Sequence, residues 1–264
     1  MIFLESTIQS NKRIAPGIQL MQFQGGPIAS QALPGQFLMV RPKGLSEPLL
    51  PRPFSIHQVR GEKVELLFKV VGQGTRQLAA MKPGDLLEVR GPLGKGFVFH
   101  KDQEPILVAG GMGAAPLLFL ARAWKRQFRG RSVQPKLFIG GRTKEDLLRI
   151  QEFEKAGVEV MTVTEDGSGG IKGLVTDLLK KNLKKPSSQT ALFVCGPTPM
   201  LKAVRNWALD HKIPCQLSLE THMACGLGAC LGCVVARKTD QGVSYVNVCQ
   251  EGPVFDAREV FGDD

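Results

Sequence analysis

The sequence has no long apolar run, no visible export signal, no internal repeat and no low-complexity tract. Its most apolar stretch, residues 106–123, is interrupted by glycines and by Pro116, whereas a membrane-spanning helix needs about 20 apolar residues. We therefore expect no membrane span. Without an export signal, we expect a cytoplasmic protein with reduced cysteines. A chain of 264 residues is long enough for two domains and a small module.

The net charge of +10 is unevenly distributed. Residues 216–264 contain three Lys or Arg against seven Asp or Glu, so the rest of the chain holds all of the basic excess. Its one tight basic cluster, residues 180–185, falls at the predicted end of a helix, where cations complement the helix dipole. We therefore predict no nucleic-acid binding, and a basic body suits anionic dinucleotides.

The hydrophobic pattern changes near residue 105 and predicts two architectures. Before it, short apolar stretches alternate with Gly/Pro turns, which is typical of an antiparallel β barrel or sandwich. After it, strand and helix patterns alternate, which is typical of a parallel sheet covered by helices. We predict a β barrel over 1–100, an α/β domain over 101–215 and a small module over 216–264. The predicted helices are 75–81, 116–128, 144–156, 173–183 and 198–211.

Four cysteines near the C-terminus follow the spacing C-x4-C-x2-C and then, after fifteen residues, a fourth C. This is the plant-type pattern for a [2Fe–2S] cluster, which is a one-electron carrier. The first three lie in a glycine-rich segment, and glycine allows the positive φ that a closely wrapped loop requires. A zinc site fits the four-residue gap poorly, and a disulfide framework would suit a secreted chain; both remain alternatives. The predicted ligands are Cys225, Cys230, Cys233 and Cys249.

The two remaining cysteines, Cys195 and Cys215, lie in apolar runs. Free cysteine behaves as a small hydrophobic residue. We therefore predict that both are buried and bind no metal.

Two short motifs in the β region suit a flavin nucleotide. One combines an arginine fork for phosphate oxygens with an aromatic ring and a serine. The other is a glycine turn that opens a helix, where backbone N–H groups can receive a pyrophosphate. Each motif alone is equally compatible with an ordinary strand or turn. They are Arg52-Pro53-Phe54-Ser55 and Gly72-Gln73-Gly74-Thr75.

Two further motifs follow predicted strands of the α/β region. The loop 110–116 has glycines at Gly110, Gly111 and Gly113, but Pro116 stands where a G-x-G-x-x-G fingerprint has its third glycine. The segment 194–200 contains Cys195-Gly196-Pro197. Both could also be simple strand-to-helix turns.

In this order, the four motifs resemble those of the ferredoxin–NADP reductase superfamily. With the cysteine segment, the whole chain resembles the electron-transfer subunits of the dihydroorotate dehydrogenase B family. The resemblance implies FAD and a [2Fe–2S] cluster as cofactors and NAD as co-substrate. The implied FAD residues are Arg52, Pro53, Phe54, Ser55, Leu67, Phe68, Lys69, Gly74 and Thr75. The implied nicotinamide residues are Gly110, Gly111, Gly113, Cys195, Gly196 and Pro197.

The resemblance also implies a partner. Electrons would pass between NAD and the FMN of a catalytic subunit that oxidises dihydroorotate, in a heterotetramer of two plus two subunits of the pyrimidine pathway. The acidic C-terminal segment, with Asp256 and Glu259, is our hypothesis for the docking face. Two alternatives remain: a subunit of a sulfide dehydrogenase or ferredoxin–NADP transhydrogenase complex, and a zinc-stabilised interaction module.

No side chain is predicted to act as a catalytic acid or base, because the cofactors carry the chemistry of hydride transfer. We therefore expect the four histidines at the surface or at helix ends. From its position between the last predicted strand and Cys225, Glu220 is expected near the flavin ring.

Overall fold

The computed structural model describes residues 1–45, 47, 49–130 and 133–262. Its N-terminal part is a closed antiparallel barrel with the strand order β1-β2-β5-β4-β3-β6. Alternate residues of β6 are buried, as expected for a strand with one face on a core. The barrel strands are β1 (Ile2–Ala15), β2 (Ile18–Gln24), β3 (Phe37–Pro42), β4 (Arg52–Arg60), β5 (Lys63–Lys69) and β6 (Leu86–Leu93). Two short helices connect them, α1 (Pro27–Gln31) and α2 (Gln73–Ala80).

The second part is a seven-stranded sheet with the order β10-β9-β8-β7-β11-β12-β15. Its strand pairs are parallel except β12 with β15, which is antiparallel. The strands are β7 (Glu104–Gly110), β8 (Lys136–Gly141), β9 (Glu159–Thr164), β10 (Ile171–Lys172), β11 (Thr190–Cys195), β12 (Cys215–Ser218) and β15 (Val254–Asp256). The helices are α3 (Ala114–Gln127), α4 (Ile150–Lys155), α5 (Val175–Asn182) and α6 (Thr198–Asp210). The predicted fold class, a β barrel followed by a parallel-sheet domain, is confirmed.

The predicted helix over 144–156 is wrong as a continuous element. A 3₁₀ turn, Lys144–Asp146, comes first, and α4 begins after Arg149, whose φ is 63°. The Asp146 carboxylate accepts the backbone N–H groups of Arg142 at 3.0 Å and Thr143 at 3.4 Å. These bonds cap the start of the 3₁₀ turn, and the left-handed backbone at Arg149 separates that turn from α4.

The C-terminal segment contains elements that the sequence patterns did not predict. Strands β13 (Val234–Thr239) and β14 (Gly242–Asn247) form an antiparallel hairpin, and the short helix α7 (Val248–Glu251) follows. The chain then returns to the large sheet as β15, beside β12. The predicted boundary at residue 216 therefore falls inside a strand of the sheet. Within the described residues, no helix combines the length and apolar character needed to cross a membrane.

Candidate functional site

A cleft of about 330 Å³ lies where the barrel, the sheet and the C-terminal segment meet. This is at the lower end of the range for small-molecule sites, about 300–1,000 Å³. Gly74 is buried beside it at the start of α2. The other sequence-predicted FAD residues all line the cleft: Arg52, Pro53, Phe54, Ser55, Leu67, Phe68, Lys69 and Thr75. The structure brings these positions together, and their contacts with FAD stay a prediction.

Strands β4 and β5 build the barrel side of this cleft. They pair in antiparallel register, with Ile56 opposite Leu66. The rings of Phe54 and Phe68 lie 5.2 Å apart at a tilt of 47° and give the cleft an aromatic wall. The Arg52 guanidinium donates one hydrogen bond to the Leu50 carbonyl at 2.7 Å. Because a guanidinium has five N–H donors, the others are available to an anionic ligand.

The turn before α2 is organised by the Thr75 side chain. Its hydroxyl accepts the N–H groups of Val71 at 2.9 Å and Gly72 at 3.0 Å, and it donates to the Gly72 carbonyl at 3.0 Å. The hydroxyl is therefore used within the turn. The first N–H groups of a helix have no intrahelical acceptor, so the first-turn amides of α2 are the donors that suit a pyrophosphate here.

The predicted nicotinamide residues meet at the carboxyl edge of the sheet, because β7 and β11 are neighbouring parallel strands. A Cβ on Gly113 would overlap the Cys195 carbonyl, and one on Gly110 would lie 2.7 Å from Cδ of Pro197. Glycine is therefore required for the two turns to pack together. Gly111, with φ of 50°, instead faces open space.

Motif reasoning missed part of the cleft wall. Met112 and Ala115 come from the first turn of the α/β region, and Met223 and Pro253 from the C-terminal segment. Met112 and Ala115 lie within the glycine loop 110–116, which the sequence assigned to the nicotinamide. Met223 and Pro253 are distant from it in sequence and carry no chemical signature that would place them at the cleft. Phe37, Val71, Leu219 and Thr221 complete the missed set.

Glu220 also lines the cleft. The sequence led us to expect it there from its position between the last predicted strand and Cys225. Although its side chain is open to the cleft, the surrounding protein raises the pKa of its carboxyl by desolvation. A perturbed carboxyl that lines a ligand cleft is a candidate functional residue.

The four predicted metal ligands lie in the segment after β12. Cys233 and Cys249 are buried, Cys225 is half-buried and Cys230 is exposed. Backbone N–H groups point at the sulfurs: Leu227 donates to Cys225 Sγ at 3.2 Å, and Gly228 donates to Cys249 Sγ at 3.1 Å. Three residues in the loop have positive φ: Gly226 at 70°, Gly228 at 78° and Leu231 at 56°.

The donor set fits an iron–sulfur cluster. Burial opposes ionisation of the Cys225 thiol, but the N–H donors of Leu227 and Cys230 outweigh it and lower its pKa to about 7. Burial and the neighbouring Cys233 raise the pKa of Cys249 to about 11. The Cys225 thiol is hydrogen-bonded with Cys230 and the Cys249 thiol with Cys233, and Cys249 is also close enough to Cys225 for their charges to interact.

No group of three His, Cys, Asp or Glu side chains in the described residues could hold a single metal ion. The four cysteines suit a two-iron cluster by their spacing and by the backbone N–H groups aimed at their sulfurs, since such a cluster is bound by four thiolates.

The cysteine segment adjoins the cleft. Met223 lines the cleft two residues before Cys225, and Pro253 lines it four residues after Cys249. A Cβ on Gly226 would lie 2.6 Å from the Met39 side chain of β3, so the loop packs directly on the barrel. Both cysteines predicted to be buried without a metal, Cys195 and Cys215, are buried in the sheet. Burial raises the pKa of both thiols.

The expectation for the histidines is wrong for His57, which is 0% exposed. Its Nδ1 lies 2.8 Å from the carbonyl oxygen of Ala115, on α3. Burial lowers its pKa to about 3, so the imidazole is neutral. His211 does lie at a helix end, where its Nδ1 is 2.8 Å from the Trp207 carbonyl oxygen.

Together, the barrel, the sheet and the paired cysteines define a flavin- and pyridine-nucleotide-linked oxidoreductase with an iron–sulfur segment. Three family models match the chain in that order. They are an oxidoreductase FAD-binding domain over residues 5–98, an oxidoreductase NAD-binding domain over 107–206, and the iron–sulfur cluster binding domain of dihydroorotate dehydrogenase B over 220–261.

Curated relatives specify the family. The dihydroorotate dehydrogenase B (NAD(+)) electron transfer subunit of Caldanaerobacter subterraneus subsp. tengcongensis is 41% identical over 97% of this chain and 98% of its own length. That of Desulforamulus reducens is 39% identical over 94% of each chain. The chain therefore belongs to the family of dihydroorotate dehydrogenase B electron transfer subunits.

Solved structures agree on the fold. A chain from the NADH-dependent reduced ferredoxin-NADP oxidoreductase structure superposes with a TM-score of 0.83 at 29% identity, covering 97% of this chain and 89% of that one. The ferredoxin reductase of carbazole 1,9a-dioxygenase superposes with a TM-score of 0.70 at 22% identity, covering 81% and 67%.

Proposed function

We propose that this chain carries electrons between NAD(H) and a catalytic subunit that oxidises dihydroorotate to orotate in pyrimidine synthesis. The observation that carries the proposal is the junction of the cleft with the cysteine segment at Met223 and Pro253. This junction supports a one-electron site beside a cleft whose other wall includes the proposed nucleotide-binding turn. The family's name supports the choice of substrate.

The residues have separate tasks in this proposal. Arg52 and the first-turn amides of α2 hold the FAD pyrophosphate, and Phe54 with Phe68 flanks the ring system. Gly110, Gly113 and the Cys195-to-Pro197 turn receive the nicotinamide half of NAD. A flavin held by these residues would supply hydride exchange with NAD(H), and a cluster held by the four cysteines would supply single-electron exchange. Glu220 lines the cleft beside the proposed position of the ring, where desolvation raises the pKa of its carboxyl.

We further propose that the catalytic partner contains FMN and that two copies of each subunit assemble. The hypothesis of an acidic docking face needs revision at two residues. Asp256 accepts hydrogen bonds from Arg258 at 2.7 and 2.8 Å, and Glu259 pairs with Arg237 at 2.8 Å. Reversing these charges would disturb this chain as well as an interface.

Exposed apolar side chains around the cysteine segment give a cleaner test of docking. Leu231 is 64% exposed and Tyr245 is 75% exposed. We expect Leu231→Glu to weaken co-purification with the catalytic subunit, because a charge would replace apolar contact. Leu174→Glu is a matched control, since Leu174 is 54% exposed but lies on the far sheet domain. Equal co-purification of the two variants would contradict this docking face.

The decisive experiment is the absorption and EPR spectrum of anaerobically purified protein, with iron and flavin quantitation. We expect two irons and one FAD per chain, a yellow-brown colour and bleaching by NADH. A colourless protein that contains zinc would support an interaction module instead.

A second candidate function has one observation in its favour, the extended likeness to the NADH-dependent reduced ferredoxin-NADP oxidoreductase structure. Isolation of the native complex separates the candidates. A partner with dihydroorotate oxidation activity supports our proposal, and a partner that reduces ferredoxin supports the alternative.

A further inference from the structure

Helix α3 attaches the sheet to the barrel. Its Phe119 is packed in the barrel core, whereas Leu118 belongs to the core beneath the sheet. Ala115, in its first turn, and Met112, just before it, line the cleft. A shift of α3 relative to β4 would therefore move the nucleotide side of the cleft relative to the flavin side.

Two consecutive residues of β4 are hydrogen-bonded to α3. His57 Nδ1 lies 2.8 Å from the Ala115 carbonyl oxygen, and because a carbonyl only accepts, Nδ1 carries the proton. The Arg122 guanidinium donates to the Gln58 side-chain oxygen. Ala115 and Arg122 are seven residues apart, so they lie on one face of the helix. We call these two bonds the interdomain hydrogen-bond pair.

The pair is anchored on the barrel side as well. The Gln58 amide donates to Glu65 at 3.2 Å, and Glu65 also accepts from Gln22 at 3.1 Å and is paired with Arg60 at 3.4 Å. Glu65 is itself only 6% exposed. This network holds the Gln58 side chain in one orientation toward α3.

A histidine at this buried position carries a cost in the free energy of folding. Its Nε2 is buried and has no hydrogen-bond partner among the described residues. Leaving a buried polar atom unpaired costs about 1–3 kcal/mol. An apolar ring would avoid that cost but could not bond to Ala115. The bond to α3 is thus what the imidazole adds at this position.

We propose that His57 is a positioning residue, which with Gln58 fixes the first turn of α3 at the separation from β4 that nicotinamide-to-flavin transfer requires. This inference rests on the proposed function. Transfer between two bound rings depends steeply on their approach, and a misplacement of about 1 Å can reduce a rate by about 100-fold. His57 itself contacts neither ring; it acts through Ala115.

The test compares two substitutions in the full chain, purified anaerobically with its cofactors. His57→Phe keeps an aromatic ring but removes the donor. His57→Asn restores an N–H group near the position of Nδ1. Stopped-flow mixing with NADH gives the limiting rate of flavin reduction and the NADH concentration at half-maximal rate. The absorbance change is normalised to bound flavin, and thermal unfolding is recorded separately.

We expect His57→Phe to lower the limiting rate by about 10-fold or more, with a smaller change in the half-maximal NADH concentration, and His57→Asn to stay within about threefold of the parent. An unchanged rate in the Phe variant would overturn the proposal. So would an Asn variant as slow as the Phe variant, because the hydrogen bond would then be irrelevant.

If His57→Phe fails to retain flavin, Arg122→Met tests the other bond of the pair from the edge of the interface. Slower reduction by NADH would support the proposal, and a parental rate would contradict it. Failure of the proposed function looks different, because the parent protein itself would then lack flavin or fail to bleach with NADH.

Discussion

The cleft and the cysteine segment are adjacent, but they are built in opposite ways. The four cysteines fall within 25 consecutive residues, and their spacing alone indicates their chemistry. The cleft wall runs from Phe37 to Pro253 and is assembled from the barrel, the sheet and the C-terminal segment. A contiguous site tolerates changes elsewhere in the fold, whereas an assembled site depends on how the parts are held together.

The largest effect is expected from a substitution that removes the metal site of the cysteine segment and leaves the cleft unchanged. Cys249→Ala should abolish most of the bound iron, because a cluster of this kind uses all four thiolates. Flavin content and bleaching by NADH should persist, since the cleft is unchanged. Iron quantitation and EPR measure the loss. Cys215→Ala, a buried cysteine outside the predicted ligand set, is the control and should keep its iron; equal iron loss in both variants would contradict the ligand assignment.

The next substitution disturbs the cleft and leaves the cysteine segment unchanged. Gly113→Ala places a methyl group on the Cys195 carbonyl and must displace the nucleotide-binding turn. We expect the limiting rate of flavin reduction by NADH to fall by about 100-fold, while iron and flavin contents stay near parental values. Gly262→Ala, where a Cβ meets no atom within 4 Å, is the control. A parental rate in Gly113→Ala would show that the two turns need not be in contact.

A smaller effect is expected at the flavin side of the cleft. Arg52→Ala removes charge-assisted hydrogen bonds worth about 1.5–3 kcal/mol, so FAD should bind about 10- to 100-fold more weakly. Flavin retained after gel filtration, and its titration back into the apoprotein, measure this. Arg13→Ala on β1, outside the cleft-lining set, should retain parental affinity. If both variants bind FAD equally, Arg52 is a surface residue without a flavin role.

The smallest effect is a gradual change of folding stability with pH, and it arises from His57 at the junction between the barrel and the sheet. The pKa of His57 is lowered to about 3 in the folded protein from an ordinary value of 6.5, because it is buried and because Arg149, Arg122 and Arg60 face it. The unfolded chain therefore binds a proton that the folded chain does not. The His57 contribution to stability is fully present above pH 6.5 and declines by about 1.4 kcal/mol per pH unit as the pH falls toward 3.

Denaturant unfolding at pH 7.5, 6 and 5 tests this prediction. His57→Asn should lose less stability than the parent between pH 6 and pH 5. His100→Asn, at an exposed loop position, should follow the parent curve. Parallel curves for the parent and His57→Asn would show that His57 is not a titrating group in this range.

Local patterns predicted much of this molecule. Strand and helix periodicity identified the barrel and the parallel sheet, because the two patterns differ in repeat length. The segments 52–55 and 67–69 were assigned to the cleft from a family resemblance, and both line it. The helix break near Arg149 was missed, because the left-handed backbone there leaves no mark on the hydrophobic period.

By itself, the sequence determined the order of the parts and the chemistry that each can carry, since the cysteine spacing, the glycine turns and the strand periods are all short-range features. Only the tertiary structure decided that Met112, Glu220 and Pro253 share one cleft and that His57 is buried against α3. The physical reason is that burial and proximity between distant residues arise from packing, which depends on the whole chain at once.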